Sequence, residues 1–206
     1  MKATWPTPNV QPQGQWLGSA GWNTDLRRVA SVQIARSFVG LGKSDPCYLE
    51  ALYPCDTKQM QVQMASHQSM CALVCAAIMR CLGIDHPTLW EPYAEQYKTL
   101  DAVSRLRVIA GAHKALSGRD TVPIPGEQLI IGQGIKTHAL TVIAWDGLFC
   151  MSIDGGMGKV RLVERGIVHS GGQLFLHDQV MGNRRVENCV HVGDILPVNE
   201  WALPAK

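Results

Sequence analysis

Apolar positions along this chain keep two different periods. From Thr24, a plausible N-cap, Leu26, Val29, Ala30, Ile34 and Phe38 recur at helical spacing and the run stops at Gly40 and Gly42, which predicts a first helix. Ser69 caps a second, Met70 to Leu82, which ends at Gly83 and is apolar nearly all round. A helix without a polar face belongs in the middle of a core. Residues 43–66 read as loop with a short helical piece, and Thr88 to Leu116 as mostly helical until Pro123 and Pro125 end it. Beyond the prolines the period shortens to two. Gln128–Ile131, Ala139–Ala144, Phe149–Ile153, Val160–Val163, Gln173–Leu176 and Val190–Val198 read as strands separated by Gly, Asp and Asn turns. Helices first and antiparallel strands afterwards is the α+β order, not the alternating order of a doubly wound fold.

Composition narrows the class. The 206 residues are 46% hydrophobic and 17% charged, enough apolar surface for one sizeable core and too much for a disordered chain, so a single domain over 1–206 is expected. Residues 1–24, where Pro6, Pro8, Pro12, Gly14, Gly18 and Gly21 alternate with Trp5, Trp16 and Trp22, read as an extended arm docked by its tryptophans. The net charge of +2 is spread without long runs, so no footprint for nucleic acid or an anionic membrane stands out. The longest apolar run, Cys71 to Met79, is far short of the roughly 20 residues that cross a bilayer, so no integral membrane segment is expected. Pro6, Pro8 and Pro12 stand where a signal peptide needs its apolar stretch, which predicts a cytoplasmic product or one exported by a signal-independent route. Seven cysteines without a CxxC pair suggest neither a zinc ribbon nor a complete disulfide framework. His67, His86 and His113 lack ligand spacing, so no metal and no cofactor is assigned.

One cysteine is placed for chemistry. Cys71 falls in the first turn of the second helix, where unpaired amides and the helix dipole favour a thiolate. Buried cysteine is also a small hydrophobe, the reading for Cys75 and Cys81 on the same helix. Further on, His138 opens an apolar strand that turns at Trp145-Asp146-Gly147 and returns to Asp154. A three-residue loop with Gly147 in the left-handed region pairs Ala144 with Leu148 and sets His138 opposite Asp154, on one face. The carboxylate would then hold the imidazole while its other nitrogen addresses a thiol. A two-residue loop would put the two on opposite faces.

The order of these parts resembles a family. Ser69-Met70-Cys71-Ala72-Leu73-Val74, running through Arg80 to Leu82-Gly83-Ile84, is similar to the nucleophile helix of the CHAP and NlpC-type papain-like amidohydrolases. Pro125-Gly126-Glu127 followed by Gln128–Ile131 is similar to their PGD-plus-apolar strand, with Glu for Asp. Thr137-His138 with the strand after it resembles their His strand, and Ser152-Ile153-Asp154-Gly155-Gly156 stands where they carry a third polar residue before Gly. Met70 in place of an aromatic or Asp, and a long insert at 88–122, depart from the pattern.

The resemblance implies a papain-like α+β fold, with the nucleophile helix packed on a C-terminal antiparallel sheet. It also implies a cysteine amidase or endopeptidase with Cys71 as nucleophile, His138 as base and acid, and Asp154 as orienter. The amide of Cys71 and a nearby donor would steady the oxyanion. Gln63, Gln68 and Ser69 are candidates there, and Trp90, Tyr93 and Tyr97 for the wall of a groove, although such aromatics are more often core. The implied substrate is an amide in bacterial peptidoglycan or its peptide stem, cut by a phage lysin or by a toxin that a type VI-like machine injects, with an immunity protein as candidate partner. Two alternatives stand: a protease or glutamine deamidase acting on a protein, and a binding domain with a degenerate papain-like fold and an inert thiol.

Overall fold

A computed structural model describes residues 22–42, 44–46, 70–82, 123–132, 137–156, 158–190 and 192. Among them are two helices, α1 (Trp22–Ser37) and α2 (Met70–Cys81). Six strands follow: β1 (Gln128–Ile131), β2 (His138–Trp145), β3 (Phe149–Gly156), β4 (Lys159–Ser170), β5 (Gln173–Asp178) and β6 (Gly182–Val190). Each strand pairs antiparallel with the next, and β6 returns to β1, so the sheet closes into a barrel in the order β1-β2-β3-β4-β5-β6.

This corrects the papain-like α+β expectation: the described residues form a closed antiparallel barrel carrying two short helices. Two features of the sheet account for the difference. β4 runs well past Val163, pairing with β3 as far as Gly166 and with β5 from Gly166 to Ser170, so one strand turns the corner between two neighbours. The strand that closes the barrel is Gly182–Val190, which the sequence pattern does not predict, and of the strand expected over Val190–Val198 only Val190 and Val192 are among the described residues. Closure leaves no open sheet edge in the barrel. The helix expected over 88–116, most of the loop over 43–66 and the arm up to residue 21 lie outside the described residues. Trp22, assigned to that arm, begins α1 instead.

Alternating side chains on the strands feed two cores. Leu129, Ile131, Leu140, Val142, Cys150, Leu174, Leu176, Val186 and Cys189 fill the barrel interior. Ile130, Ala139, Ile143 and Ile153, on the opposite face of the same strands, join α2 and the Ile34, Ala35 and Phe38 face of α1. Residues 70–79 are all buried, as an apolar helix sandwiched between a sheet and another helix must be. Two glycines set how closely the helices approach. Gly126, at φ +95°, lies under α1: a Cβ there would stand 2.4 Å from the Arg28 carbonyl oxygen, and Ser31 Oγ donates to the Gly126 carbonyl at 2.8 Å. Gly155 lies under the start of α2, where a Cβ would stand 2.5 Å from the Met70 carbonyl oxygen.

Candidate functional site

That contact at Gly155 places Cys71, one residue into α2, beside Asp154 and the first residue of β2, His138. The His138 imidazole hydrogen-bonds the Cys71 thiol, and its Nε2 stands 2.7 Å from Asp154 Oδ2. Nε2 is thereby committed to the carboxylate, which leaves Nδ1 for the sulfur. The three residues singled out in the sequence are together at one end of the barrel, where β1 ends and β2 begins. Cys71 and Asp154 are buried, and the His138 side chain is 14% exposed.

The register that joins them differs from the expected one. Thr141 pairs with Ile153 and Val142 with Ser152, and a bulge at Ile143 shifts the pairing to Ala144 with Met151 and Trp145 with Cys150. His138 and Asp154 are therefore diagonal neighbours rather than direct partners. An offset of two residues keeps both on the same face, so the pair forms all the same. Gly147 has φ +91°, and Asp146 serves the turn: its Oδ1 accepts from the amides of Leu148 at 2.8 Å and Phe149 at 2.7 Å. Gln68, Ser69 and Trp90 lie outside the described residues.

Sequence reading missed Arg165. On the inward face of β4 between Val163 and Ile167, its side chain is 3% exposed and grips Asp154 with both terminal nitrogens. Nη2 donates to Oδ2 at 2.8 Å and Nη1 to Oδ1 at 3.3 Å. Nη1 also donates to Ser152 Oγ at 2.6 Å, and that hydroxyl donates to Asp154 Oδ1 at 3.2 Å. Arg165 Nε leans on Asp178 Oδ2 at 3.4 Å, while Asp178 Oδ1 caps the next turn through the amides of Val180 and Met181. Two-residue alternation carried past Val163 would have put Arg165 on the face of Asp154.

The charges follow from these contacts. Burial pushes the Asp154 carboxyl up, but hydrogen bonds from His138 and Arg165 and their positive charges outweigh it and hold the group down at about 2. Burial pushes His138 down, yet its hydrogen bonds to Asp154 and Cys71 and their charges lift it to about 9. At neutral pH the site therefore holds an imidazolium between a carboxylate and a thiol. Cys75, one turn along α2, has Thr141 Oγ1 at 3.8 Å as a polar neighbour in its buried seam, and burial drives its thiol far up. Burial likewise pushes Cys150, inside the barrel, up to about 12.

No protein-family model, curated protein or solved structure matches the chain. Among the described residues no group of three or more His, Cys, Asp or Glu side chains is arranged to hold a metal ion, and no helix is long and apolar enough to cross a membrane.

Proposed function

We propose that this chain is a cysteine-nucleophile amide hydrolase. The observation that carries the reading is the buried relay Cys71–His138–Asp154, backed by Arg165: a thiol hydrogen-bonded to an imidazolium whose far nitrogen is fixed by an ionised carboxylate. An imidazolium beside a thiol favours the thiolate, the nucleophilic form. Cys71 Sγ attacks the amide carbonyl, His138 gives its proton to the departing nitrogen, and the C–N bond breaks to leave a thioester. Water, deprotonated by His138, then adds to the thioester, and the C–S bond breaks to release a carboxylic acid and restore the thiol. The backbone amide of Cys71, near the start of α2, suits the developing oxyanion.

The proposed target is an amide of bacterial peptidoglycan or its peptide stem, and it rests on the motif order alone. Mass mapping of alkylated cysteines tests the chemistry: Cys71 reacts at neutral pH well ahead of Cys75 and Cys150. Equal labelling of Cys71 and exposed thiols would favour an inert domain. Digestion of purified peptidoglycan tests the target, with new amine and carboxyl ends expected from the native chain and none from Cys71→Ala. Untouched peptidoglycan together with a reactive Cys71 would move the target to a protein.

A further inference from the structure

A second arginine faces the same end of the barrel. Arg184 on β6 pairs with Leu176 of β5 and stands two residues before Val186, and both of these side chains lie in the interior cluster. Directly opposed and alternate residues share a face, so Arg184 points inward as well. Ile131, the last residue of β1, pairs with His138 on one side and Val186 on the other, so Arg184 stands at the barrel end that holds His138, where the charges of Asp178, Arg165, Asp154 and Cys71 act on its guanidinium. Among the described residues its buried Nε finds no hydrogen-bond partner.

The carboxylates nearby are engaged elsewhere. Both Asp154 oxygens are occupied by His138, Arg165 and Ser152, while Asp178 gives Oδ1 to two turn amides and holds Oδ2 3.4 Å from Arg165 Nε, an ion-pair contact without a hydrogen bond. An arginine kept short of a partner in a partly desolvated site costs stability, and a substrate group can recover that cost. A planar guanidinium is suited to a carboxylate, which it can grip with two parallel hydrogen bonds.

We propose that Arg184 is the substrate-binding arginine of this site, pairing with an ionised carboxylate that the substrate carries beside the amide attacked by Cys71. The inference rests on the hydrolase reading and deepens it. The substrate class becomes peptide-like amides flanked by a free carboxylate, such as a bond next to a chain terminus or to a residue joined through its side chain.

Two alkylating agents of nearly equal size test this without a known substrate. Iodoacetate carries a carboxylate and iodoacetamide a neutral amide in the same place, and each forms a thioether with Cys71 and releases iodide. The measured quantity is the ratio of the two rates at Cys71 in the native chain, in Arg184→Gln and in Arg184→Lys. Loss of a charge-assisted contact should lower the iodoacetate to iodoacetamide ratio roughly tenfold in Arg184→Gln, while Arg184→Lys keeps most of it. In the native chain, reaction with iodoacetate should saturate, and excess acetate should slow it where acetamide does not. A ratio unchanged in Arg184→Gln would overturn the inference and leave the hydrolase reading standing. If Arg184→Gln does not fold, linear iodoacetate kinetics without competition by acetate in the native chain would overturn it equally. A Cys71 that reacts with iodoacetamide no faster than a free thiol would remove the hydrolase reading, and this inference with it.

Discussion

The barrel rim around Cys71 and the apolar seam around Cys75 are built from the same elements, with opposite results. Both thiols sit on α2, one turn apart, both are buried, and β2 lies beside each. At the seam β2 presents Thr141, and Gln128 of β1 donates its Nε2 to the Cys75 carbonyl at 2.8 Å. Among the described residues no cation acts on that sulfur, and burial keeps it a thiol. At the rim β2 presents His138, β3 presents Asp154 and β4 supplies Arg165. Burial alone makes a cysteine inert, and a charge relay threaded through three strands changes its character.

The largest effects should come from exchanging the two cysteines. Cys71→Ala is expected to lower amide hydrolysis by roughly a thousandfold or more, because it removes the proposed attacking atom. Cys75→Ala should change activity only a few-fold. Steady-state rates and thermal melts of both variants check this, with both expected to fold because alanine suits a helix interior. An essential Cys75 beside a dispensable Cys71 would reverse the comparison.

Next in size is Arg165→Met. It removes one partner of a buried ion pair and leaves Asp154 desolvated, a change that typically costs about 3 to 5 kcal/mol of folding stability. Activity should fall with stability, since His138 loses the fixed carboxylate behind it. Arg165→Lys should restore part of both, because a single ammonium cannot reach both Asp154 oxygens and Ser152 at once. Denaturant unfolding and initial rates on the two variants provide the check.

The two halves of the relay differ in how visible they were. The pair His138 and Asp154 shows in the sequence because a hairpin with an Asp-Gly turn is a local signal, and face is preserved even when the register moves by two. Two changes moved it, a wider turn that pairs Trp145 with Cys150 and the bulge at Ile143 that takes one residue back, and neither has a local signature. Cys71 shows because a helix with no polar face had to lie at the core, with its first turn at a boundary. Barrel closure did not show. β6 reads Gly-Asn-Arg-Arg-Val-Glu-Asn-Cys-Val, with Arg184 at an inward position and with Val186 and Cys189, three residues apart, both in the interior because the pairing with β1 slips between Ile130 and Ile131, so hydrophobic alternation is broken in the strand that completes the fold. Arg165 was hidden for the same reason: a charge at an inward position looks like the end of a strand until its partner on another strand is known.

The two close-packed glycines separate position from stability. Gly126→Ala and Gly155→Ala each force a methyl against a helix backbone, and overpacking of that kind costs about 1 to 3 kcal/mol. Gly126 carries the added strain of φ +95°, so its variant should be the less stable of the two. Gly126→Ala pushes on α1 at Arg28 rather than on the helix turn beside Cys71, and the residual folded protein should keep its turnover number. Gly155→Ala pushes on Met70, next to Cys71, and should lower turnover as well. Equal turnover in the two folded variants would show that the Gly155 contact does not set the nucleophile's place.

The smallest and sharpest effect is on pH. His138 rises from an ordinary 6.5 to about 9, first against burial and then through its bonds to Asp154 and Cys71. Below about 6.5 the imidazole is protonated in the folded and unfolded chain alike, and the stabilisation from these contacts is fully present. Between the two values only the folded chain keeps the proton, and the stabilisation fades as pH rises through about 9. Asp154 behaves in the opposite sense: its contribution is complete above the ordinary 3.8 and is lost as pH falls toward about 2. The proposed ion pair at Cys71 needs the imidazolium, so turnover should fall along an alkaline limb centred near 9. Asp154→Asn removes the strongest contribution holding the proton on His138, and the limb should move to lower pH while Cys71 remains available to alkylation. NMR titration of the His138 ring, beside the pH profile of both forms, reads the two quantities independently. A limb that stays near 9 in Asp154→Asn would mean that the carboxylate positions the imidazole without setting its charge, and the contrast with the Cys75 seam would then rest on geometry alone.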